Sequence, residues 1–284
     1  VTIQVSDERY WGKMGKLDGK VAFITGAARG QGRSHAIRLA HEGADIIAVD
    51  ICAQMDSVPY PMATQEDLEH TAKEVEAEGR RVVIRQADVR DVSALRQAFE
   101  DGMAELGPVD IVLANAGIGP GRLEPSDRDW LEVIDVNLTG VWNTGRIAIP
   151  SMVERGNGGS IVLTSSIGGL VGFATDEQGF LGYVAAKHGV VGLMRSWANF
   201  LAPHNIRVNS VAPTGVRTPM VEKASLGAIL EANPGLARAM SNALPVDMVE
   251  PIDVSNAIAW LVSDDARYVT GSVIPVDAGA INKR

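Results

Sequence analysis

A lone cysteine, Cys52, excludes any intrachain disulfide from this 284-residue chain and points to a reducing, cytoplasmic setting. No apolar run approaches the ~18 residues needed to span a bilayer, so no membrane partner is expected. Positive charge is also short: 26 Lys and Arg stand against 35 Asp and Glu, a net charge of −9. Nucleic-acid binding depends on clustered Lys and Arg, and the sequence carries no such run. The five histidines, His35, His41, His70, His188 and His204, do not fall at ligand spacing with one another or with Cys52, so no metal is expected. Aromatics make up only 5% and charged residues 21%, against 46% hydrophobic, which excludes a disordered or fibrous chain. Repeats, low-complexity tracts and linkers are missing too, so residues 20–284 read as one domain. Residues 1–19 read as an arm without a signal-peptide core; its Tyr10 and Trp11 suit docking on this or a neighbouring subunit, and disorder suits it equally.

What the chain does have is alternation. Short apolar runs and amphipathic stretches take turns, which predicts an α/β fold with a parallel sheet covered on both faces. Strands are predicted at Val21–Thr25, Asp45–Asp50, Arg81–Ala87, Val109–Ala114, Ser160–Thr164, Ile206–Ala212 and Ser272–Val276. Helices are predicted at Ser34–Ala44, Gln65–Glu78, from near Val92, Asp127–Val136, then to about Glu154, Gly182–Leu201 and Pro251–Val262. Asn137-Leu138-Thr139-Gly140 reads as a helix break. Sheets of this kind bind ligands at the carboxyl ends of their strands.

The first strand runs into Gly26-Ala27-Ala28-Arg29-Gly30-Gln31-Gly32 and then a helix. Gly26 suits a sharp bend, and Gly30 and Gly32 let backbone approach a pyrophosphate. Free N–H groups and the helix dipole would face the negative charge. Gly26, Arg29, Gly30, Gln31 and Gly32 are therefore candidate cofactor residues; a merely tight strand–helix turn is the plainer reading. The second strand ends at Asp50, followed by Ile51. A carboxylate there can accept from ribose hydroxyls and would repel a 2′-phosphate, favouring NAD over NADP. Arg29 points weakly the other way, and a strand-end or capping role is the alternative for Asp50. After it comes a long loop, Ile51–Thr64, placed either to cover a cofactor or as a surface insertion. Asp88-Val89 follow the third strand, where an acid can meet adenine or cap the next helix. Asn115-Ala116-Gly117 offer small residues beside a ligand.

Tyr183 and Lys187 lie four apart on one helix face. A tyrosine titrates near pH ~10, and a neighbouring ammonium lowers that value until the phenol becomes a usable acid/base. Alone, such a pair is equally a surface helix pair. Ser166 stands at a strand end, where its hydroxyl can bind a substrate oxygen. Asn137 in the helix break can hold a water beside Lys187, or simply break the helix.

Together, Thr25-Gly26-x-x-x-Gly30-x-Gly32, Asn115-Ala116-Gly117, Asn137, Ser166, Tyr183-x-x-x-Lys187 and Pro213-x-Gly215 with Thr218 resemble the classical short-chain dehydrogenase/reductase family, in order from about Lys20 to Gly279. The resemblance implies a Rossmann-type doubly wound sheet of seven parallel strands and a catalytic tetrad of Asn137, Ser166, Tyr183 and Lys187, with Ser166 preferred to Ser165. It implies Lys187 on the nicotinamide ribose and Thr218 on the carboxamide, with Tyr183, Pro213, Gly215 and Val216 beside the cofactor. It also implies a homotetramer or homodimer. The interval from Ser166 to Tyr183 is longer than usual, through Phe173–Leu181, and so is the loop after Asp50. That loop is similar to the carveol dehydrogenase-like subfamily, which is associated with the redox peptide mycofactocin and retains NAD. The expected activity is NAD-dependent oxidation of a hydrophobic secondary alcohol, such as a cyclic terpenoid. Leu170, Phe173, Phe180 and the 214–245 segment, with Met220, Leu226, Ile229, Leu230, Leu236, Met240 and Leu244, would form the substrate pocket. An NADPH-linked ketone or 3-oxoacyl reductase and a silent dinucleotide-binding sensor are the alternatives.

Overall fold

The computed structural model describes residues 15–119, 127–222, 231 and 234–283. Tyr10, Trp11 and most of the expected arm, with Leu226, Ile229 and Leu230, lie outside the described residues. The strands are β1 (Val21–Thr25), β2 (Asp45–Asp50), β3 (Val82–Gln86), β4 (Ile111–Ala114), β5 (Gly159–Thr164), β6 (Ile206–Pro213) and β7 (Val273–Val276). They form one parallel sheet in the order β3-β2-β1-β4-β5-β6-β7, a Rossmann-type arrangement. The helices are α1 (Gly30–His41), α2 (Gln65–Ala77), α3 (Val92–Leu106), α4 (Asp127–Ile134), α5 (Gly140–Arg155), α6 (Gln178–Leu201), the short α7 (Pro219–Glu222) and α8 (Pro234–Met240), and α9 (Pro251–Val262).

Alternation along the central strands divides the apolar residues between two cores. Val21 and Phe23 of β1 face one side and Ala22 and Ile24 the other, as the two-residue strand period requires. Ile47 and Val49 oppose Ile46 and Ala48 on β2 in the same way. Leu95 and Phe99 of α3, Ile147 and Met152 of α5 and Val190 and Met194 of α6 fill the first core. Leu39 of α1, Leu68 of α2 and Val254 and Ile258 of α9 fill the second. With both faces covered, β1 and β2 are buried throughout and read as continuous apolar runs.

The strand order reverses between β1 and β4, which leaves a crevice at their carboxyl ends. Strand and helix ends differ from the sequence expectation by a residue or two in several places, and three larger differences have a local reason. Helix α1 starts at Gly30, so the last glycines of the turn form its first turn. Helix α6 starts at Gln178 rather than Gly182, because the Glu177 carboxylate accepts from the Gly179 and Phe180 N–H groups. The break expected at Asn137 is a wider helical turn, Asp135–Thr139, that joins α4 to α5 without interruption.

Candidate active site

The glycine turn is shaped by packing as much as by any ligand. Gly26 has φ +70, and a Cβ there would come within 2.8 Å of the Ala116 Cα on the adjoining loop. Gly30 has φ +56, beside the Thr218 methyl. A Cβ on Gly32 would meet the Gly26 carbonyl oxygen at 1.9 Å. Gly32 thus lets α1 close onto the turn, a packing need that stands beside any clearance for a phosphate. Arg29 gives α1 no side-chain cap, and its first turn holds no acid. Helices α2, α3, α6 and α9 use side chains instead: Thr64 and Asp67, Asp91, Glu177, and Glu250 with Asp253; α5 has no side-chain cap either, but it continues directly from the helical turn before it. The amino end of α1 therefore keeps its N–H groups and its partial positive charge for an anion.

An open cleft runs along this edge. Gly26, Arg29, Gly30, Gln31, Gly32, Asp50, Ile51, Asp88, Val89, Asn115, Ala116, Gly117 and Thr218 all line it. Asp50 is buried, and burial pushes its carboxyl above the usual range against hydrogen bonds that favour the anion. Its oxygens accept from the Ala28 N–H (3.0 Å) and the Cys52 N–H (3.3 Å), so it braces the turn from the end of β2. Asp88 binds the Arg90 guanidinium and backbone; α3 is capped by Asp91, so Asp88 does not cap it. Asn115 reaches across from β4, donating to the Thr25 and Gly26 carbonyls.

The loop after Asp50 supplies cleft walls that motif spacing misses: Met55, Tyr60, Met62 and Ala63. A loop this rich in apolar residues, with Tyr60 and Met62 among them, was the available signal. One side chain ties the loop together. Gln54 Nε2 donates to the Met55, Val58 and Tyr60 carbonyls, and its Oε1 accepts from the Met62 N–H. Tyr60 then crosses the cleft, and its phenol oxygen accepts from the Gly119 N–H at 2.9 Å. Burial pushes that phenol up to about 12, so it stays neutral at physiological pH.

Beside the cleft lies a second cavity. Ser166, Tyr183, Pro213, Gly215, Val216 and Thr218 line it, together with Phe173, Phe180, Met220 and Met240. Phe173 and Phe180 meet edge to face at 5.7 Å, and Phe180 leans on the Tyr183 ring. Leu170 packs against the core instead of lining the cavity; Leu236 is buried and Leu244 lies exposed at the surface.

The four residues converge from three places: Asn137 from the wider turn before α5, Ser166 from the end of β5, and Tyr183 with Lys187 from α6. Tyr183 and Ser166, which starts the turn after β5, flank Gly168: a Cβ there would stand 3.6 Å from the tyrosine ring and 3.7 Å from Ser166 Oγ. Two bonds pin α6 to that strand end: Ser165 Oγ donates to the Lys187 carbonyl at 2.9 Å, and Lys187 Nζ donates to the Thr164 carbonyl at 2.8 Å. Ser165 is thus occupied in structure, leaving Ser166 facing the cavity. Asn137 holds the loop after β4, accepting from the Ile118 N–H and donating to the Ile118 carbonyl, both at 2.8 Å. A Cβ on Gly117 would stand 3.1 Å from Asn137 Oδ1 and 3.7 Å from Lys187 Nζ, so both flank that glycine under the cleft. The electrostatics differ from the sequence expectation. Burial raises the Tyr183 phenol above its ordinary value, although the neighbouring Ser166 hydroxyl lowers it in part. Burial also brings Lys187 down to about 8. Its ammonium is 5.6 Å from the tyrosine ring centroid and is spent on the Thr164 carbonyl, so desolvation outweighs it. Among the described residues, no group of three His, Cys, Asp or Glu side chains is placed to hold a metal, and no helix is long and apolar enough to cross a membrane.

A family model described as enoyl-(acyl carrier protein) reductase matches residues 26–280. The chain is 50% identical over 281 residues to a (−)-trans-carveol dehydrogenase of Rhodococcus erythropolis, covering 95% of this chain and 100% of the relative. The chain belongs to the short-chain dehydrogenase/reductase family. It is accordingly an oxidoreductase. An uncharacterized oxidoreductase of Mycobacterium tuberculosis is 57% identical over 269 residues, covering 94% of this chain and 98% of that one. The crystal structure of a carveol dehydrogenase from Mycobacterium avium in complex with NAD superposes with a TM-score of 0.88 at 50% identity, covering 95% of this chain and 100% of the other.

Proposed function

We propose that this chain interconverts a hydrophobic secondary alcohol and its ketone, using NAD held in the cleft between the glycine turn and the loop after Asp50. One observation carries the reading: Tyr183 and Ser166 together line an apolar cavity that shares Gln31, Thr218 and Met220 with the cleft. The cleft suits the dinucleotide. It has an uncapped helix start and a turn in which Cβ atoms do not fit, with a carboxylate at the ribose end. Bound NAD supplies the hydride acceptor and a positive charge above the cavity.

In this reading Tyr183 Oη takes the hydroxyl proton as the alcohol carbon loses hydride. Ser166 Oγ holds the same substrate oxygen and orients its C–H bond. Lys187 holds the nicotinamide ribose and, when protonated, favours the phenolate. Asn137 keeps the loop at Gly117 in register beneath them. The walls of Phe173, Phe180, Met220 and Met240 suit a cyclic, terpenoid-like alcohol, and the carveol dehydrogenase relatives support that class. Arg29 lines the same cleft and favours the second reading, an NADPH-linked ketone reductase. The buried Asp50 weighs against a 2′-phosphate. Incubation with carveol and with short linear alcohols, each with NAD or NADP, tests the proposal. Ketone formation from the cyclic alcohol with NAD is the expected result; preference for NADP or for the linear alcohols would overturn it.

The cross-braced loop favours retention of NAD between turnovers. Electrons would then leave through a second carrier, for which the subfamily resemblance indicates mycofactocin. Leu131 (58% exposed), Trp130, Trp142 and Phe200 leave apolar surface on α4–α6 that a homotetramer would bury. Sedimentation equilibrium tests that assembly, and a monomer at micromolar concentration would exclude it.

A further inference from the structure

Gln31 stands where the two cavities meet. Only Thr218 and Met220 among the described residues share with it a place in both walls. Its amide oxygen Oε1 is buried, and no described group donates to it. A buried acceptor without a donor is costly, so the position calls for a donor brought by a ligand. A pyrophosphate cannot supply one, because its oxygens are themselves acceptors.

A dinucleotide carries few donors, and the site divides them. In the reading above, Asp50 would take the ribose hydroxyls at the adenosine end, and Asp88 with Val89 would take the adenine amine. Tyr183 and Lys187 would take the hydroxyls of the other ribose. What remains near the second cavity is the carboxamide NH2 of the nicotinamide. Thr218 folds over the turn here, its methyl 3.2 Å from where a Gly30 Cβ would be. Its hydroxyl can donate to a carboxamide oxygen, while Gln31 offers the complementary acceptor.

We propose that Gln31 Oε1 accepts a hydrogen bond from the carboxamide NH2 of the bound nicotinamide, so that Gln31 and Thr218 between them read both halves of that amide. This rests on the NAD reading above, and the test separates the two. Protein exchanged free of nucleotide, wild type and Gln31→Leu, is titrated calorimetrically with ADP-ribose, NAD and 3-acetylpyridine adenine dinucleotide, in which methyl replaces the NH2. ADP-ribose lacks the nicotinamide and reports whether the glycine turn is intact. The expected result is NAD binding weakened ~10-fold in Gln31→Leu, with the other two ligands unchanged. Wild type should likewise prefer NAD to the acetylpyridine analogue, and the variant should lose that preference. Equal weakening of all three ligands would make Gln31 a support for the turn and overturn the proposal, as would no change at all. Failure of wild type to bind any of the three would instead sink the NAD reading.

Discussion

Replacing Tyr60 with phenylalanine tests whether the loop after Asp50 governs cofactor release. Tyr60 is 3% exposed and its phenol oxygen accepts the Gly119 N–H at 2.9 Å. Phenylalanine keeps the ring and its packing but leaves that N–H without its acceptor. An unsatisfied buried donor costs ~1–3 kcal/mol. The bond joins the loop to the far side of the cleft, so the loss falls on the closed state and opening becomes easier. Each 1.4 kcal/mol is about tenfold in an equilibrium constant, which sets NAD release in Tyr60→Phe ~10-fold faster than in wild type. Gln54→Ala removes the amide that bonds the Met55, Val58 and Tyr60 carbonyls and the Met62 N–H, and should accelerate release further. Loading with NADH, chasing with excess NAD and following the fluorescence decay gives the rate directly. Equal release rates for wild type and Tyr60→Phe would show that the loop does not gate the cleft.

Asn137→Ala should lower stability by ~2–5 kcal/mol, because both polar groups of the Ile118 backbone lose their side-chain partner; a urea midpoint shift worth less than ~0.5 kcal/mol would refute that role. Lys187 has a folded-state value of about 8, depressed from 10.5 by burial. Its burial therefore costs stability at low pH, and that cost fades as pH rises through about 8 toward 10.5. Wild type should accordingly gain ~2 kcal/mol relative to Lys187→Met between roughly pH 7.5 and pH 9.5; parallel stability curves across that window would contradict it.

The sheet was legible because each strand is an apolar run closed by a turn, and parallel strands covered on both faces leave little else to pattern. The tetrad was legible because its members are polar or aromatic residues at strand ends and on one helix face. What local pattern could not supply were contacts made across the fold. Gln54 and Tyr60 sit in a loop whose brace and anchor appear only when Gly119 is brought opposite. The early start of α6 depends on Glu177 reaching two backbone N–H groups, a cap without helical periodicity of its own. Spacing placed Tyr183 beside Lys187, but only the geometry shows that burial outweighs the ammonium in setting the phenol. The role of Gly32 is likewise invisible in a motif, since the atom it spares is the Gly26 carbonyl.

The central claim is that the Tyr183 hydroxyl moves the substrate proton. Tyr183→Phe keeps the ring that leans on Phe180 and removes that oxygen alone. Single-turnover alcohol oxidation, with NAD affinity measured on the same preparation, is the most direct test. The account predicts a fall of ~10²–10⁴-fold in the oxidation rate with NAD binding changed by less than about tenfold. Oxidation within a few-fold of wild type, with NAD bound, would contradict it.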